Sequence, residues 1–598
     1  MNGGELVAEV LAQHGVQTLF TLCGGHISPI LVGCHRRGIR VIDTRHEAAA
    51  VFAADAVSRL TGVPGVAAVT AGPGVTNTLT AVTNARLAQS PVVLLGGATA
   101  GILKGRGALQ DIDQIALVRS QMKWTAVAKR VRDIPRLLTT AFERAQDGVP
   151  GPVFLELPVD VLYDEKLVRE WFEKSGGGNR LLQWYMRRYL RRLFDGARAV
   201  EIPQPRVPSV VDPNDDVVRD VGARLGKAQR PVIVAGSQAV ADPASATKVA
   251  EALERIGVPV YLSGMSRGLL GTAHRQQMRH HRKDALRHAD LVVLAGVPAD
   301  FRLNYGRDIA RGAVVVSANR SSGDLTKNRR PDVALHADPG VFLIRLAASI
   351  KRTHSDEWRA ALRAADDQRE REIVAASQER VFQASGLGPQ ASEEEREGGG
   401  SEARGPRPEA EYVNPLVLCQ AIDRALAPKS IVVADGGDFV STASYIVRPR
   451  APLSWLDPGP FGTLGVGGGF AIGAAVSRPG EELWILYGDG ALGFSLAEFD
   501  TFARHRIPVI AVVANDGCWS QIHREQVDVL GDDTGCMLAR TDYHIAATGL
   551  GGCGLLLKDE ASIEATLQEA KRLAASGRPV LVNAWIGKSA FRKGSISM

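Results

Sequence analysis

The chain has 598 residues, 45 % of them hydrophobic, and a formal charge of +6; this length accommodates about three or four folding units. Its apolar runs, at 91–95, 291–295 and 508–514, are strand-sized and far short of the roughly 20 residues a membrane-spanning helix needs. Met1 to Glu5 leads straight into a helical pattern, so no signal peptide is expected and an anchor upstream stays open.

The first block, 1–165, alternates apolar strands at 17–22, 66–70, 92–95 and 153–156 with helices such as 47–60, the pattern of a parallel sheet. Its chemistry-bearing residues fall at strand-to-helix ends. Gly24, Gly25 and His26 follow one strand; Arg45-His46-Glu47 opens a helix behind Val41-Ile42; AGPGVTN (71–77) follows another strand, and Gln110 comes later. In open α/β sheets such ends share one edge, so these residues can converge on one crevice. A glutamate in a first helical turn also has a plainer role, favouring the helix dipole.

Residues 166–211 form a linker with one amphipathic helix. Over 180–194, Leu182, Met186, Tyr189, Leu190 and Leu193 share a face, while Arg187, Arg188, Arg191 and Arg192 take the other. The helix either packs on its own protein, lies on an anionic membrane surface or docks an acidic partner.

A second α/β block, 212–355, has strands at 231–235, 259–262, 291–295 and 313–317. Residues 356–411 follow as a helix and a linker, of which 392–411 is charged and rich in Gly and Pro and is expected to be flexible. Six cysteines show no C-x-x-C pair and no zinc spacing, and are expected to be reduced and mostly buried. Basic residues are scattered over helices rather than gathered in a nucleic-acid motif. The expected partner is therefore an anionic small molecule and not nucleic acid.

The third block, 412–598, has strands at 430–434, 482–486, 508–513 and 579–584. Gly488-Asp489-Gly490 ends one of them, and Asn515 and Asp516 follow Asp489 by 26 and 27 positions, behind a crossover helix and the next strand. A right-handed crossover returns both loops to one edge. Magnesium takes hard oxygen donors and keeps substrate phosphates in its shell, so this spacing suits a metal-bridged diphosphate. Gly488 and Gly490 let the main chain approach the phosphates. Either dipeptide alone reads as an ordinary turn.

The RHE segment with its helix, TAGPGVTN (70–77), GDG and the Asn515-Asp516 pair together resemble the thiamine-diphosphate enzymes of the acetolactate synthase, oxalyl-CoA decarboxylase and 2-hydroxyacyl-CoA lyase group, over nearly the whole chain. The resemblance implies three doubly wound parallel-sheet α/β domains of that type, binding thiamine diphosphate and Mg²⁺. Glu47 would bond the aminopyrimidine, which then acts as the cofactor's internal base. Gly462 would offer a carbonyl to the amino group and Leu464 would support the bent cofactor. Gly436, Gly437, Asp438, Gly488, Asp489, Gly490 and Ala491 would border the diphosphate. Asp489 would hold the metal with Asn515 or Asp516 and a carbonyl near Gly517 or Cys518. The group's usual second ligand is an asparagine at the position of Asp516, so both candidates stand.

The segments 264–271, 289–296 and 304–306, and the lack of a proline in 465–471, resemble the CoA-lyase and oxalyl-CoA branch more than the flavin-containing synthases. The expected reaction is therefore cleavage of a 2-hydroxyacyl-CoA to formyl-CoA and an aldehyde one carbon shorter, within fatty acid α-oxidation. His26 and Gln110 would handle the hydroxyl and the developing oxyanion. A pyruvate-condensing synthase with FAD and a catalytically silent binding subunit are the alternatives. The resemblance further implies a homodimer or homotetramer with sites shared between subunits. It also implies an endoplasmic-reticulum membrane location, or else a cytoplasmic one, since no membrane anchor is read in this chain.

Overall fold

The computed structural model describes residues 2–175, 180–197, 199–206, 208–350, 356–381 and 412–592. The expected flexible stretch 392–411 lies outside them. Among the described residues eighteen strands form three six-stranded, wholly parallel sheets. The first contains β1 (Thr18–Leu22), β2 (Arg40–Asp43), β3 (Gly65–Val69), β4 (Val92–Ala98), β5 (Trp124–Val127) and β6 (Val153–Pro158), in the order β2-β1-β3-β4-β6-β5.

The second contains β7 (Pro231–Ala235), β8 (Val260–Leu262), β9 (Gln277–Met278), β10 (Leu291–Ala295), β11 (Val314–Asn319) and β12 (Val333–His336), in the order β12-β11-β10-β7-β8-β9. The third contains β13 (Ile431–Asp435), β14 (Trp455–Leu456), β15 (Leu483–Gly488), β16 (Ile510–Asn515), β17 (Cys553–Leu557) and β18 (Val580–Trp585), in the order β14-β13-β15-β16-β18-β17.

The first and third sheets therefore share one winding. In each, the chain leaves the first strand for an outer neighbour and then crosses to the other side. The loops after β1 and β3, and those after β13 and β15, therefore lie at that switch point, the place where open α/β sheets bind ligands. β3, β4, β6, β7 and β10 are buried along their whole length, which is why they consist of Val, Leu, Ile, Ala and Phe with a few small or paired polar residues.

The first and third domains meet through two helices, Glu47–Thr61 and Val466–Ser477. The second is glycine-rich because it lies against its neighbour's backbone: a Cβ on Gly469 would stand 2.6 Å from the Ala49 carbonyl oxygen, and one on Gly473 would stand 2.2 Å from that of Ala53. Phe52 and Phe470 close the contact edge to face at 5.8 Å.

The helix expected at 180–194 forms over those residues. Leu190 and Leu193 are buried and Met186, Tyr189 and Phe194 pack beside them on the first domain's core. Tyr189 bonds Asp160 through its hydroxyl. From Met186 onward its apolar face is thus occupied by its own domain, while Leu182 is exposed. The crossover helix of the third domain runs over Glu498–His505, behind turns at 493–497. Cys23 is exposed, the other five cysteines are buried, and all six are free thiols.

Candidate active site

Glu47 is the first residue of its helix, which is capped by His46: the imidazole Nδ1 accepts the Ala48 N–H at 3.1 Å. The Glu47 carboxylate is buried and accepts a hydrogen bond from Asn77 Nδ2 at 3.0 Å. Asn77 ends the turn that follows β3. The same turn receives the other two residues expected here. His26, after β1, places Nδ1 3.2 Å from Thr70 Oγ1. Gln110 adopts a left-handed backbone (φ 62°), and its main chain covers Gly72, where a Cβ would meet the Gln110 carbonyl oxygen at 2.8 Å. Glu47, His26 and Gln110 therefore gather along 70–77. Burial lowers the His26 pKa, which keeps the imidazole neutral and able to accept a proton.

Gln114 was not singled out by the sequence. It is buried, accepts the Gly72 N–H at 2.8 Å, and donates to Gly97 O at 3.1 Å and Glu156 Oε2 at 3.0 Å. One amide thus ties the β3 turn to β4 and β6. Its only sequence signal is a polar residue starting the short apolar helix 114–118.

In the third domain Asp435, the last residue of β13, accepts the N–H groups of Gly465 at 3.0 Å and Gly467 at 2.7 Å. This carboxylate fixes the loop bearing Gly462 and Leu464; complete burial pushes its pKa up to about 7 despite the two donors. Gly462 is exposed with φ 66° and Leu464 is half-buried. The loops after β13 and β15 touch: a Cβ on Gly436 would stand 2.8 Å from the Gly488 nitrogen. Asp438 is paired with Arg524 at 2.5 Å, and Gly437 lies against Gln521. Ala491 is buried behind the GDG turn.

Asp489 accepts the N–H of Gly490 through Oδ1 and that of Gly517 through Oδ2, both at 2.8 Å. Asp516 accepts from Cys518 N–H at 3.1 Å and from the Ser520 hydroxyl. Burial raises the pKa of both acids, Asp489 to about 7, and the Asp516 charge adds to the rise at Asp489. Asn515 plays a different part. Its Nδ2 donates to Thr541 O at 3.0 Å and Asn583 Oδ1 at 3.1 Å, bracing β16 against β18, while its buried Oδ1 has no partner. Among the described residues no cluster of three or more His, Cys, Asp or Glu could hold a metal, so a cation here would also draw on amide, main-chain or phosphate oxygens.

The two domains are joined beside these loops by the Arg45 N–H, which donates to Glu498 Oε1 at 3.0 Å. A cleft of about 750 Å³ runs between the first and second domains. Arg86, Lys123, Arg302, Arg320 and Lys327 line it, and it reaches Gly459, just ahead of Gly462. Among the described residues no helix is long and apolar enough to cross a membrane.

Known proteins are similar to this chain in sequence. Residues 1–117 match the profile of the thiamine pyrophosphate enzyme N-terminal TPP binding domain, 218–346 that of the central domain and 435–584 that of the C-terminal TPP binding domain. The chain is 48 % identical to 2-hydroxyacyl-CoA lyase 2 of Danio rerio, over all of this chain and 93 % of the relative. It is 47 % identical to 2-hydroxyacyl-CoA lyase 2 of Homo sapiens, over all of this chain and 92 % of the relative. A probable acetolactate synthase of Mycobacterium bovis is 32 % identical over 98 % of this chain and 95 % of its own.

Proposed function

The chain belongs to the thiamine pyrophosphate enzymes, and on that premise we propose that it is a 2-hydroxyacyl-CoA lyase. It cleaves a 2-hydroxy fatty acyl-CoA between C1 and C2 to formyl-CoA and a fatty aldehyde one carbon shorter. The observation that carries this reading is the 48 % identity to a lyase over the full chain, both halves of the site included, against 32 % to a synthase.

Thiamine diphosphate, when bound, supplies the electron sink that lets the C1–C2 bond break. The residues present fit it. Glu47, oriented by Asn77, would hold a proton at the pyrimidine edge. Gly462 and Leu464, on the loop fixed by Asp435, would receive the rest of that ring system. The glycine loops 436–438 and 488–491, so close that a Cβ on Gly436 would meet the Gly488 nitrogen at 2.8 Å, bring two strand-end backbones together beside Asp489, where they would border a diphosphate. Two buried carboxylates with raised pKa values, that of Asp489 partly through the Asp516 charge, beside the unpartnered Asn515 amide oxygen, form a donor set short of positive charge. Mg²⁺ would supply it. Asp489 and Asp516 are the charged ligands in this reading, with a main-chain oxygen at 517–518; the Asn515 Nδ2 braces β16 against β18, and its unpartnered Oδ1 is the alternative donor.

His26, neutral and next to the Thr70 turn, would take the proton from the substrate hydroxyl. Gln110 would donate to the oxygen that gains charge. The cleft, lined by six Arg and Lys against four Asp, is where a nucleotide diphosphate would bind, and flavin absorbance in the purified protein would tell FAD from ADP and favour the synthase reading. The arrangement also belongs to a homodimer or homotetramer, in fatty acid α-oxidation at the endoplasmic-reticulum membrane. Incubation with thiamine diphosphate, Mg²⁺ and 2-hydroxypalmitoyl-CoA should release pentadecanal and formyl-CoA. Acetolactate from pyruvate, with no aldehyde from the acyl-CoA, would replace the lyase reading by the synthase one. Neither product would indicate a silent subunit.

A further inference from the structure

We propose that the outward face of the Arg180–Phe194 helix is a contact surface for anionic phospholipid headgroups. The inward face, with Leu190 and Leu193, is occupied by the first domain, and the Tyr189–Asp160 bond and the Phe172–Tyr189 ring contact at 6.2 Å fix the helix in place. What remains outward is not an ordinary polar face. Leu181 is 80 % exposed, Trp184 60 % and Tyr185 48 %. The next turns of the same face carry Arg187, Arg188, Arg191 and Arg192, all exposed. Arg188 lies 5.7 Å from the Trp184 ring.

A helical step of about 100° per residue places these seven side chains on one half of the cylinder, opposite Leu190 and Leu193. The neighbouring helix Glu165–Ser175 adds Leu167 and Trp171, 37 % and 38 % exposed. Charge selects the occupant. Residues 180–194 carry five Arg and no Asp or Glu, a surplus of five in a chain whose whole surplus is six. Nearly all of the protein's excess positive charge is thus gathered beside its exposed Trp, Tyr and Leu side chains. Trp and Tyr favour the headgroup level of a bilayer, and arginine favours an anionic leaflet.

The test is co-sedimentation of the full chain with phosphatidylcholine vesicles, with and without phosphatidylserine. Binding is expected on the anionic vesicles only and should weaken as salt rises. Neutralising Arg187, Arg188, Arg191 and Arg192 to Gln should lower partitioning about fivefold per residue. Trp184→Ser with Tyr185→Ser should lower it at unchanged charge, and both variants should keep the wild-type melting temperature because these side chains face outward. Failure of the wild type to bind anionic vesicles, or equal binding by wild type and variants, would overturn the proposal. So would binding to polyglutamate but not to vesicles, which would assign the face to an acidic protein. None of these readouts depends on the lyase reaction.

Discussion

Asn77 Nδ2 donates to Glu47 Oε2 at 3.0 Å, across the crevice between the β3 turn and the helix that follows β2, and leaves the acid only 5 % exposed. The bond fixes the carboxylate's rotamer without neutralising it. Glu47→Gln keeps the size of the side chain and removes its proton chemistry. Turnover should fall by about 10² to 10⁴, while thiamine diphosphate binding, followed by the quenching of tryptophan fluorescence, changes little. Undiminished turnover would refute the role of the carboxylate.

The cation reading separates two adjacent residues. Asp516→Ala should weaken the Mg²⁺-dependent retention of thiamine diphosphate at least about tenfold, since it removes one of two charged donors. Asn515→Ala should chiefly lower the melting temperature, because it breaks the bonds to Thr541 and Asn583. Calorimetric Mg²⁺ titration in the presence of the cofactor, set beside thermal melts, checks both. The opposite pattern would make Asn515 the ligand.

Leu464 is half-buried in a loop, not a core residue. Leu464→Ala should therefore cost less than the roughly 2–5 kcal/mol of a core truncation. If Leu464 supports the cofactor, kcat should still fall sharply. A urea titration and a rate measurement on the same preparation decide this, and a stability loss of core size with proportionate activity would return Leu464 to a packing role.

Glu498 carries a pH dependence. Burial raises its pKa from 4.5 to about 7 in the folded protein, so between those values the folded state holds a proton that the unfolded chain has released. Stability contributed by this group is therefore present at low pH and lost as pH rises through that window. Glu498→Gln can still accept the Arg45 N–H, and the slope of melting temperature against pH from about 4.5 to about 7 should be shallower than in the wild type. Asp435 and Asp489 share the same sign, so the difference between the two proteins isolates Glu498.

Gly473→Val tests the contact between the first and third domains. Its Cβ would stand 2.2 Å from Ala53 O, so backbone must move. The expected loss is about 1–3 kcal/mol, the usual cost of overpacking, read from the denaturation midpoint. A neutral result would mean that the two helices separate readily.

The sequence by itself determined the core of every sheet. Its four expected strands per block correspond to the four inner strands of each sheet, and every strand it missed, β2, β5, β9, β12, β14 and β17, lies at an edge. An inner strand is buried on both faces and reads as a continuous apolar run. An edge strand such as β12, buried at every second residue, or β14, two residues long, gives no such signal. The loops after β3, β13 and β15 were legible in combination: glycines recur at all three strand ends, joined by an acid after β13 and β15, although each segment alone reads as an ordinary turn.

Only the tertiary structure decided how those loops are held. Gln114 gains meaning when Gly72, Gly97 and Glu156 surround it, and Asp435 when Gly465 and Gly467 fold back onto it. It also decided that the apolar face at 180–194 is covered from Met186 onward while a second, aromatic and basic face stays open. Each depends on partners distant in sequence, and a hydrogen bond or a buried face is a property of two segments in space that no local pattern encodes.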